Sequence, residues 1–327
     1  MTRGCITGSH DSCRANEHYD SEVHLGLTCA MDVAEKTIKN VPLKELVEDP
    51  QIRRQLCGGQ LLLRIRLDAQ EVASLSEPDP LFILVPRLAY LPFLFHDVLE
   101  HFKKSISPMG QPYELWFDYN DIALKWHFPV GVLCDVLVGL EVPVPWDLTF
   151  HYRGNSKNHG CLLPFSGMAD LQRSVMNAFK QAICLETGST TLFMRLEKKE
   201  QMNLWNAILR SDLDTFSQVV QKLRCTNLSE CKSMAIRLHL AAPWDDVLLH
   251  KAPALQENGT ASTVRDFLRL TMPPLLEGGD EVEILLQGLR VPLETPLFWL
   301  ALHASYLDHF VHLVARIPNP TTIESLD

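Results

Sequence analysis

The 327-residue sequence lacks an uninterrupted apolar run of membrane-spanning length. A spanning helix needs about 20 apolar residues, and the longest candidate, residues 130–140, is broken by Asp135. The first residues contain no apolar signal-peptide core, and the acidic side chains of Asp11, Glu17 and Asp20 are untypical of an organelle transit peptide. We therefore expect a soluble, cytosolic protein.

An excess of positive charge is also missing. The chain has 30 lysine and arginine residues against 40 aspartate and glutamate residues, which gives a formal net charge of -10 at pH 7. Nucleic-acid binding normally depends on a broad cationic surface that neutralises phosphates. We therefore expect neither DNA nor RNA as a partner.

The cysteines form no recognisable framework. The chain has 9 cysteines and no two of them are spaced C-x-x-C. An odd number without this spacing argues against both a disulfide scaffold and a zinc knuckle, so we expect reduced thiols that are mostly buried. No metal and no cofactor are predicted.

Sequence motifs of common enzymes are absent as well. The chain has no P-loop, no dinucleotide-binding glycine pattern, no G-x-S-x-G elbow and no H-E-x-x-H motif. We therefore predict that the protein is not an enzyme. One alternative stays open, a hydrolase or transferase that brings Cys184 or Cys225 next to a histidine from a distant part of the chain.

Other chemistry-bearing residues have plainer interpretations. His309 and His312 lie on a predicted strand and so point to opposite faces, which favours structural histidines over metal ligands. Cys225 and Cys231 adjoin cationic residues, yet inert thiols are the favoured interpretation. Asp118 and Asp121 are interpreted as residues of a tight turn, where aspartate forms local hydrogen bonds, and not as a catalytic carboxylate pair.

Hydrophobic periodicity predicts strands and helices from residue 51 onward. Leu61, Leu63 and Ile65 alternate with more polar neighbours, as in a half-buried strand. The predicted order is strand, strand, helix, strand, strand, short helix, strand, over residues 61–67, 81–85, 91–104, 114–119, 122–128, a helix starting at 129, and 146–153. This order is typical of a β-grasp fold.

A second set of elements repeats the same order. It comprises strands at 234–240 and 247–250, a helix at 262–270, a strand at 281–287, a helix at 296–303 and a strand at 310–316. Between the two sets, apolar side chains recur at helical spacing, and Ser211 and Asp212 are suited to cap a helix N-terminus.

The predicted fold class is therefore α+β, with two ubiquitin-like (β-grasp) domains flanking a helix-rich domain. The predicted boundaries are a poorly ordered N-terminal extension at 1–50, the first ubiquitin-like domain at 51–154, the helix-rich domain at 155–230, the second ubiquitin-like domain at 231–318 and a C-terminal tail at 319–327.

One lysine of the helix-rich region is distinguished by its position on a helix face. Periodicity places Lys180 on the outward face of this helix, which makes it an exposed amine on a firm support. From periodicity alone, an ordinary solvated lysine is the favoured interpretation. The predicted inward side chains are Met168, Leu171, Val175, Phe179 and Ala182, and the predicted outward ones are Arg173, Asn177, Lys180 and Cys184.

Several segments together resemble the autophagy protein 5 family. They are residues 85–91 (VPRLAYL), 115–119 (LWFDY), 124–137 (LKWHFPVGVLCDVL), 145–151 (PWDLTFH) and 293–300 (LETPLFWL). The most specific piece is KWHFP at 125–129, and the similarity covers roughly residues 55 to 318.

The resemblance implies two ubiquitin-like domains around a helical domain, and it implies a function in autophagosome assembly. In this family the C-terminal glycine of autophagy protein 12 is joined through an isopeptide bond to a lysine of the helical domain. The segment 176–182 (MNAFKQA) is similar to that region, which nominates Lys180 as the acceptor. The E1-like autophagy protein 7 and the E2-like autophagy protein 10 are then the implied partners for conjugation.

The resemblance further implies that the conjugate binds autophagy protein 16 without a covalent bond and promotes, in the manner of an E3 ligase, the lipidation of autophagy protein 8 with phosphatidylethanolamine. Peripheral membrane contact at the preautophagosomal structure, and a part in protein transport, follow from the same resemblance. A second alternative stays open, a non-covalent adaptor with tandem ubiquitin-like domains.

Overall fold

A computed structural model describes residues 48–107, 114–153, 162–223, 231, 233–241, 246–257, 259–277 and 282–316. The predicted N-terminal extension lies outside the described residues apart from positions 48–50, and so does the predicted C-terminal tail. The described residues form two β-grasp units, and a helical segment lies between them in the chain.

The first unit is built on a five-stranded sheet in the order β2-β1-β5-β3-β4, with the central strands β1 and β5 parallel. Side chains of β1 alternate between the core and the outer face, because the described residues cover only one face of this sheet. Its elements are β1 (Gln60–Leu67), β2 (Leu81–Pro86), a 3-10 turn (Leu91–Leu94), α2 (Phe95–Phe102), β3 (Trp116–Tyr119), β4 (Ile122–Ala123), α3 (Val130–Leu137) and β5 (Trp146–His151).

The second unit has the same strand order, β7-β6-β10-β8-β9, again with a parallel central pair. Here the residues of β6 are buried on both faces of the sheet. Its elements are β6 (Ser233–Leu240), β7 (Asp246–Pro253), α8 (Val264–Thr271), α9 (Pro274–Glu277), β8 (Glu283–Leu286), β9 (Leu289–Arg290), α10 (Leu297–His303) and β10 (Val311–Arg316).

The same kind of hairpin turn closes both units. Asn120 and Asp121 join β3 to β4, and Gln287 and Gly288 join β8 to β9, and all four residues have positive φ angles. Two successive positive φ angles are the signature of a type I′ turn, whose twist matches that of the flanking strands. The predicted turn at 120–121 is therefore confirmed.

The helical segment consists of α4 (Met168–Thr187), α5 (Thr191–Met194), α6 (Lys198–Arg210) and α7 (Leu213–Val220). At the start of α7 the side chain of Asp212 accepts a hydrogen bond of 3.0 Å from the backbone N–H of Thr215, so the predicted cap at Asp212 is confirmed. Ser211 instead ends α6 with a φ angle of 52°, and the prediction that it starts a helix is wrong.

A buried arginine holds the two units together. Arg87, which follows β2, forms an ion pair with Asp135 of α3, and the second oxygen of Asp135 accepts a hydrogen bond of 3.1 Å from the N–H of Gly288 in the second unit. The arginine fits only because small residues surround it: a Cβ atom at Gly131 would lie 2.8 Å from Arg87 Cβ, and one at Gly288 would lie 2.9 Å from its guanidinium carbon. Arg316 of β10 adds a hydrogen bond of 2.9 Å to the carbonyl of Asp135.

A short helix before β1 connects the first unit to the rest of the molecule. Asp49 caps α1 (Pro50–Cys57) by accepting a hydrogen bond of 2.8 Å from the N–H of Gln51. Arg53 is buried and donates to the carbonyl of Leu302 at 3.0 Å and to that of Ser305 at 3.2 Å, both in the second unit. Because the arginine satisfies carbonyls near the end of α10, it joins this helix to the second unit.

The observed structure differs from the predictions in the length of one strand and in the exposure of one side chain, besides shifts of a few residues in other element bounds. The strand predicted at 122–128 ends at Ala123, because the chain turns at Trp126 and His127 so that Phe128 enters the core in front of α3. Met168, predicted to face inward, is 40% exposed, since it is the first residue of α4 and lies outside the packed part of the helix.

Among the described residues, no helix combines the length and the apolar character that crossing a bilayer requires.

Candidate functional site

The candidate site is the helix α4, whose buried face holds it in place. Leu171, Val175 and Phe179 are at most 2% exposed. The ring of Phe179 contacts Phe193 of α5 at 5.6 Å and Phe216 of α7 at 6.0 Å, measured between ring centroids. Aromatic contacts of this kind order the helix against its neighbours, so side chains on its opposite face project from a fixed backbone.

The C-terminal half of α4 is attached to the second unit. Ala182 packs against Ala235 of β6 and Phe310, where the small side chains allow the helix to approach the sheet closely. Glu186 forms a hydrogen bond of 2.9 Å with Nε2 of His309, and the carbonyl of Leu185 accepts a hydrogen bond from the hydroxyl of Ser233. These contacts explain why the sheet of the second unit is covered on its outer face.

Lys180 lies on the side of α4 that faces away from the sheet. It was predicted to be exposed, but in the structure it is only partly exposed. Its side chain is half-buried, and its Nζ atom lies 5.4 Å from the centroid of the Phe193 ring. An ammonium group over an aromatic face is held by the ring quadrupole, by about 0.5–1 kcal/mol at exposed sites. The amine is therefore accessible and also confined to a defined position.

The surroundings of Lys180 combine small polar and apolar groups. Asn177 and Cys184, one helical turn before and after Lys180, are exposed as predicted, and so is Arg173. On the short helix α5, which carries Phe193, Leu192 is 38% and Met194 is 65% exposed. In the part of the chain that the structure describes, the amine of Lys180 has no hydrogen bond and no ion pair, so its immediate neighbour is the ring.

The two candidate histidines are structural, but one of them does not lie on a strand. His309 is in the turn before β10 with a φ angle of 69°, because its imidazole turns back to Glu186. His312 is on β10, and its Nε2 lies 3.0 Å from Asp308 while its Nδ1 lies 2.9 Å from Nε2 of His239. Nε2 of His309 and both ring nitrogens of His312 thus contact partners within the core, and among the described residues neither histidine belongs to a group of converging metal ligands.

The cysteines do not form a nucleophilic site among the described residues. Cys184 is exposed on α4. The residue of this helix that contacts a histidine is Glu186, which binds His309. Cys231 is buried and donates to the carbonyl of Ser233 at 3.3 Å, and burial raises the pKa of Cys134 to about 12. Cys225, the other residue named for a hydrolase, lies outside the described residues.

The carboxylate of Asp118 forms a local hydrogen bond in the first hairpin turn, as predicted. The N–H of Asp121 donates to Asp118 at 3.3 Å, which is a local bond of the kind that favours aspartate in turns. The other oxygen of Asp118 accepts a hydrogen bond from His151, a contact that the sequence does not indicate because the two residues lie on different strands. The contact of Phe193 with Lys180 was not predicted for a similar reason. Phe193 lies beyond the end of α4, and the periodicity of α4 gives no information on it.

The fold defines a class of protein, one with two ubiquitin-like domains on either side of a helical segment. Three models of one family match the chain: "Autophagy protein ATG5, UblA domain" over residues 56–152, its alpha-helical bundle region over 168–225 and its UblB domain over 233–315. The chain belongs to the autophagy protein 5 family, which gives it a role in autophagy.

Relatives from distant organisms match the chain in sequence along most of their length. The chain is 26% identical to autophagy protein 5 of Arabidopsis thaliana, covering 80% of this chain and 96% of the relative. It is likewise 26% identical to autophagy protein 5 of Drosophila melanogaster, covering 82% and 97%. The crystal structure of Kluyveromyces marxianus Atg5 has the same fold, with a TM-score of 0.70 at 24% identity, over 82% of this chain and all of that one.

Proposed function

We propose that this chain is the acceptor in an autophagy conjugation system and that Lys180 forms the isopeptide bond with the C-terminal glycine of autophagy protein 12. The observation that carries the proposal is the placement of Lys180 on the outward side of α4, half-buried against Phe193. The segment 176–182 is the part of the chain that resembles the acceptor region of the family.

The reaction is a transfer of an acyl group from sulfur to nitrogen. The nitrogen of Lys180 attacks the carbonyl carbon of the glycine thioester on the E2-like autophagy protein 10, a C–N bond forms, the C–S bond breaks and the enzyme's thiolate leaves. The attacking amine must lose its proton in the process. Because no carboxylate or imidazole binds the amine among the described residues, the base comes from the conjugating enzyme, and Lys180 is an acceptor and not a catalyst.

The setting of Lys180 suits an acceptor in two respects. A helix that is buried on one side presents the amine from a rigid backbone, which reduces the entropy lost when it meets the thioester. The exposed apolar side chains of Leu192 and Met194 on α5 provide a surface on which a conjugating enzyme can exclude water.

The finished conjugate then acts at the membrane. It binds autophagy protein 16 and promotes, in the manner of an E3 ligase, the transfer of autophagy protein 8 to phosphatidylethanolamine during autophagosome assembly. The chain has no catalytic role of its own in this proposal and works as a cytoplasmic scaffold that is recruited to the preautophagosomal structure. Autophagy protein 7 supplies the activation step that precedes transfer by autophagy protein 10.

The test is reconstitution of conjugation with purified autophagy proteins 7, 10 and 12 and adenosine triphosphate. The wild-type chain gains the mass of one modifier in this mixture. Lys180→Arg keeps the positive charge and the contact with Phe193 but has a guanidinium that does not attack a thioester, so it forms no conjugate. Lys199→Arg, at an exposed position of α6, is the matched control and conjugates like the wild type.

A conjugate band that persists in Lys180→Arg contradicts the acceptor assignment. A wild-type chain that forms a complex of unchanged mass with autophagy protein 16 and is never conjugated identifies the protein as a non-covalent adaptor instead. Circular dichroism of both variants checks that the fold is intact.

A further inference from the structure

A second cluster of titratable side chains lies at one end of the first sheet, on elements other than α4. His151 is the last residue of β5 and pairs with Trp116 of β3, and the two rings stack with their centroids 3.8 Å apart. Asp68 and Glu71 lie in the loop that follows β1. The sheet brings this loop to the end of β5, because the N–H of Asp68 bonds to the carbonyl of Phe150 at 3.1 Å.

The three side chains offer converging ligand atoms. One carboxylate oxygen each from Asp68 and Glu71 and one ring nitrogen of His151 lie within 4.8 Å of one another. Ligands bound at 2.0–2.2 Å to a tetrahedral ion are about 3.5 Å apart. The Glu71 oxygen and the His151 nitrogen are already 3.4 Å apart, so a side-chain rotation that moves the carboxylate of the partly exposed Asp68 by about an ångström closes the group around an ion.

The two more buried ligands are already oriented. One oxygen of Glu71 accepts hydrogen bonds from the N–H groups of Tyr152 at 2.7 Å and Arg153 at 3.1 Å, which leaves the other oxygen 3.4 Å from Nδ1 of His151. A carboxylate fixed by backbone donors keeps its second oxygen in one direction.

The second ring nitrogen of His151, Nε2, contacts the carboxylate of Asp118, which is not one of the three ligands. Nε2 of His151 is bonded to Asp118, which is itself fixed by the N–H of Asp121. A ligating histidine typically donates its other nitrogen to a carboxylate in this way, and the contact fixes both the ring orientation and the tautomer. Nδ1, the nitrogen left for an ion, is the one that faces Glu71.

We propose that Asp68, Glu71 and His151 form a binding site for a divalent transition-metal ion of the zinc class, with Asp118 as the residue that orients the histidine. Imidazole and carboxylate ligands suit such ions, and three protein ligands leave a coordination position for water. On binding, the metal–Nδ1 bond replaces the N–H bond and the proton leaves to solvent. The site does not depend on the proposed conjugation at Lys180.

Cobalt(II) is the probe of choice, because its visible spectrum reports the ligands. The full-length chain is stripped with a chelator, dialysed and titrated with cobalt chloride. One ion per chain is expected to bind with the spectrum of oxygen and nitrogen ligands. Binding through cysteine would add an intense near-ultraviolet thiolate band, and a spectrum dominated by that band overturns the proposal.

Two conservative variants, Asp68→Asn and Asp118→Asn, test whether the ion binds at the proposed residues. Asp68→Asn retains an oxygen for the 2.8 Å hydrogen bond from the N–H of Gln70 but removes the charged ligand, so the cobalt affinity falls. Asp118→Asn weakens the orienting contact and is expected to lower the affinity roughly 10–100-fold. Glu141→Gln, at an exposed surface position, is the matched control and leaves the affinity unchanged.

Absence of binding to the wild type, or equal affinities in wild type, Asp68→Asn and Asp118→Asn, overturns the proposal. In that case the carboxylates serve only to pair with a protonated His151. Far-ultraviolet circular dichroism and urea unfolding of each variant separate loss of the ion from loss of the fold.

Discussion

The two β-grasp units share a strand order but differ in what covers the outer face of the sheet. By strand register, Leu62 of β1 corresponds to Ala235 of β6. Leu62 is 36% exposed, whereas Ala235 is 1% exposed because α4 packs on it. The same topology thus supports an open surface in the first unit and an interior interface in the second.

The ion pairs on the two sheets also differ in burial. Arg64 of the first unit pairs with Asp147 across two strands at a partly exposed position. The corresponding Arg237 pairs with the buried Asp308 at 3.2 Å and lies 4.1 Å from the Phe310 ring centroid. At matched positions, burial decides how much an ion pair contributes to stability.

The last residues of the two central strands also separate the units. His151 at the end of β5 turns to carboxylates of its own unit, while the corresponding Arg316 of β10 reaches into α3 of the first unit. The second unit is therefore the one joined to both of its neighbours, and in the first unit no described residue covers the outer face of the sheet. Variants that exchange these features test the comparison.

The largest effect is expected from the arginine that joins the units. Arg87→Leu leaves the buried carboxylate of Asp135 without its partner, and loss of one member of a buried pair costs about 3–5 kcal/mol. Urea unfolding measures the loss. The double variant Arg87→Leu with Asp135→Leu recovers part of it, and two losses that simply add contradict the direct coupling.

The next largest effect is expected at the corresponding arginines of the two sheets, Arg64 and Arg237, whose removal should lower the free energy of unfolding by different amounts. Arg237→Ala removes a charged hydrogen bond from a buried aspartate and lowers the free energy of unfolding by about 1.5–3 kcal/mol. Arg64→Ala breaks an ion pair that solvent reaches and costs about 1 kcal/mol at most. Equal losses in the two variants, measured by urea unfolding, argue against burial as the deciding factor.

The covered and the open sheet face are expected to respond differently to side-chain size. Ala235→Leu installs the residue of the first unit under α4 and costs about 1–3 kcal/mol through overpacking. Leu62→Ala, the reverse exchange on the open face, changes stability by about 0.5 kcal/mol at most. Thermal unfolding compares the two, and an Ala235→Leu variant as stable as the wild type shows that α4 does not pack tightly on β6.

The last effect is a dependence of stability on pH, which comes from buried histidines in and next to the second sheet and is close to zero above pH 6.5. Burial lowers the pKa of His239 and of His312, and burial together with the charges of Arg237 and Lys125 lowers the pKa of His127 to about 4. A base with a lowered pKa stabilises the fold above the ordinary value near 6.5, and this stability is lost as the pH falls. Each group contributes a slope of up to about 1.4 kcal/mol per pH unit.

As the pH is lowered from 6.5 to 5, the free energy of unfolding is therefore expected to fall, and His127→Gln is expected to make this fall less steep.

In the first unit, burial opposes the charged form of His151, yet hydrogen bonds to Asp118 and Glu71 outweigh it and raise the pKa of His151 to about 9. A raised pKa contributes its full stability below pH 6.5, so His151 adds no slope in this window. An unchanged slope in His127→Gln contradicts the assignment.

The repeated β-grasp order could be predicted from the sequence, and the reason is physical. Strands such as β1 alternate because one face is buried, and the turn residues Asn120 and Asp121 tolerate positive φ angles. The end of β4 could not be predicted, because the apolar residues around Phe128 enter the core from a turn and imitate a strand.

The candidate site was predictable only in outline. Periodicity places Lys180 on the outward side of α4, but its burial against Phe193 depends on a helix that the pattern of α4 does not include. The ion pair of Arg87 with Asp135, and the proximity of His151 to Asp68 and Glu71, bring together residues from separate strands, loops and a helix. Such contacts follow from the three-dimensional arrangement of the strands and have no local signal.

Mapping of the branched peptide in protein isolated from its own cells tests the central claim most directly. The proteins are digested and the peptides are analysed by mass spectrometry for a lysine joined to a C-terminal glycine. A branch at Lys180 is the result that this account predicts. A branch at another lysine, or a Lys180 that is unmodified in a chain of increased mass, would contradict it.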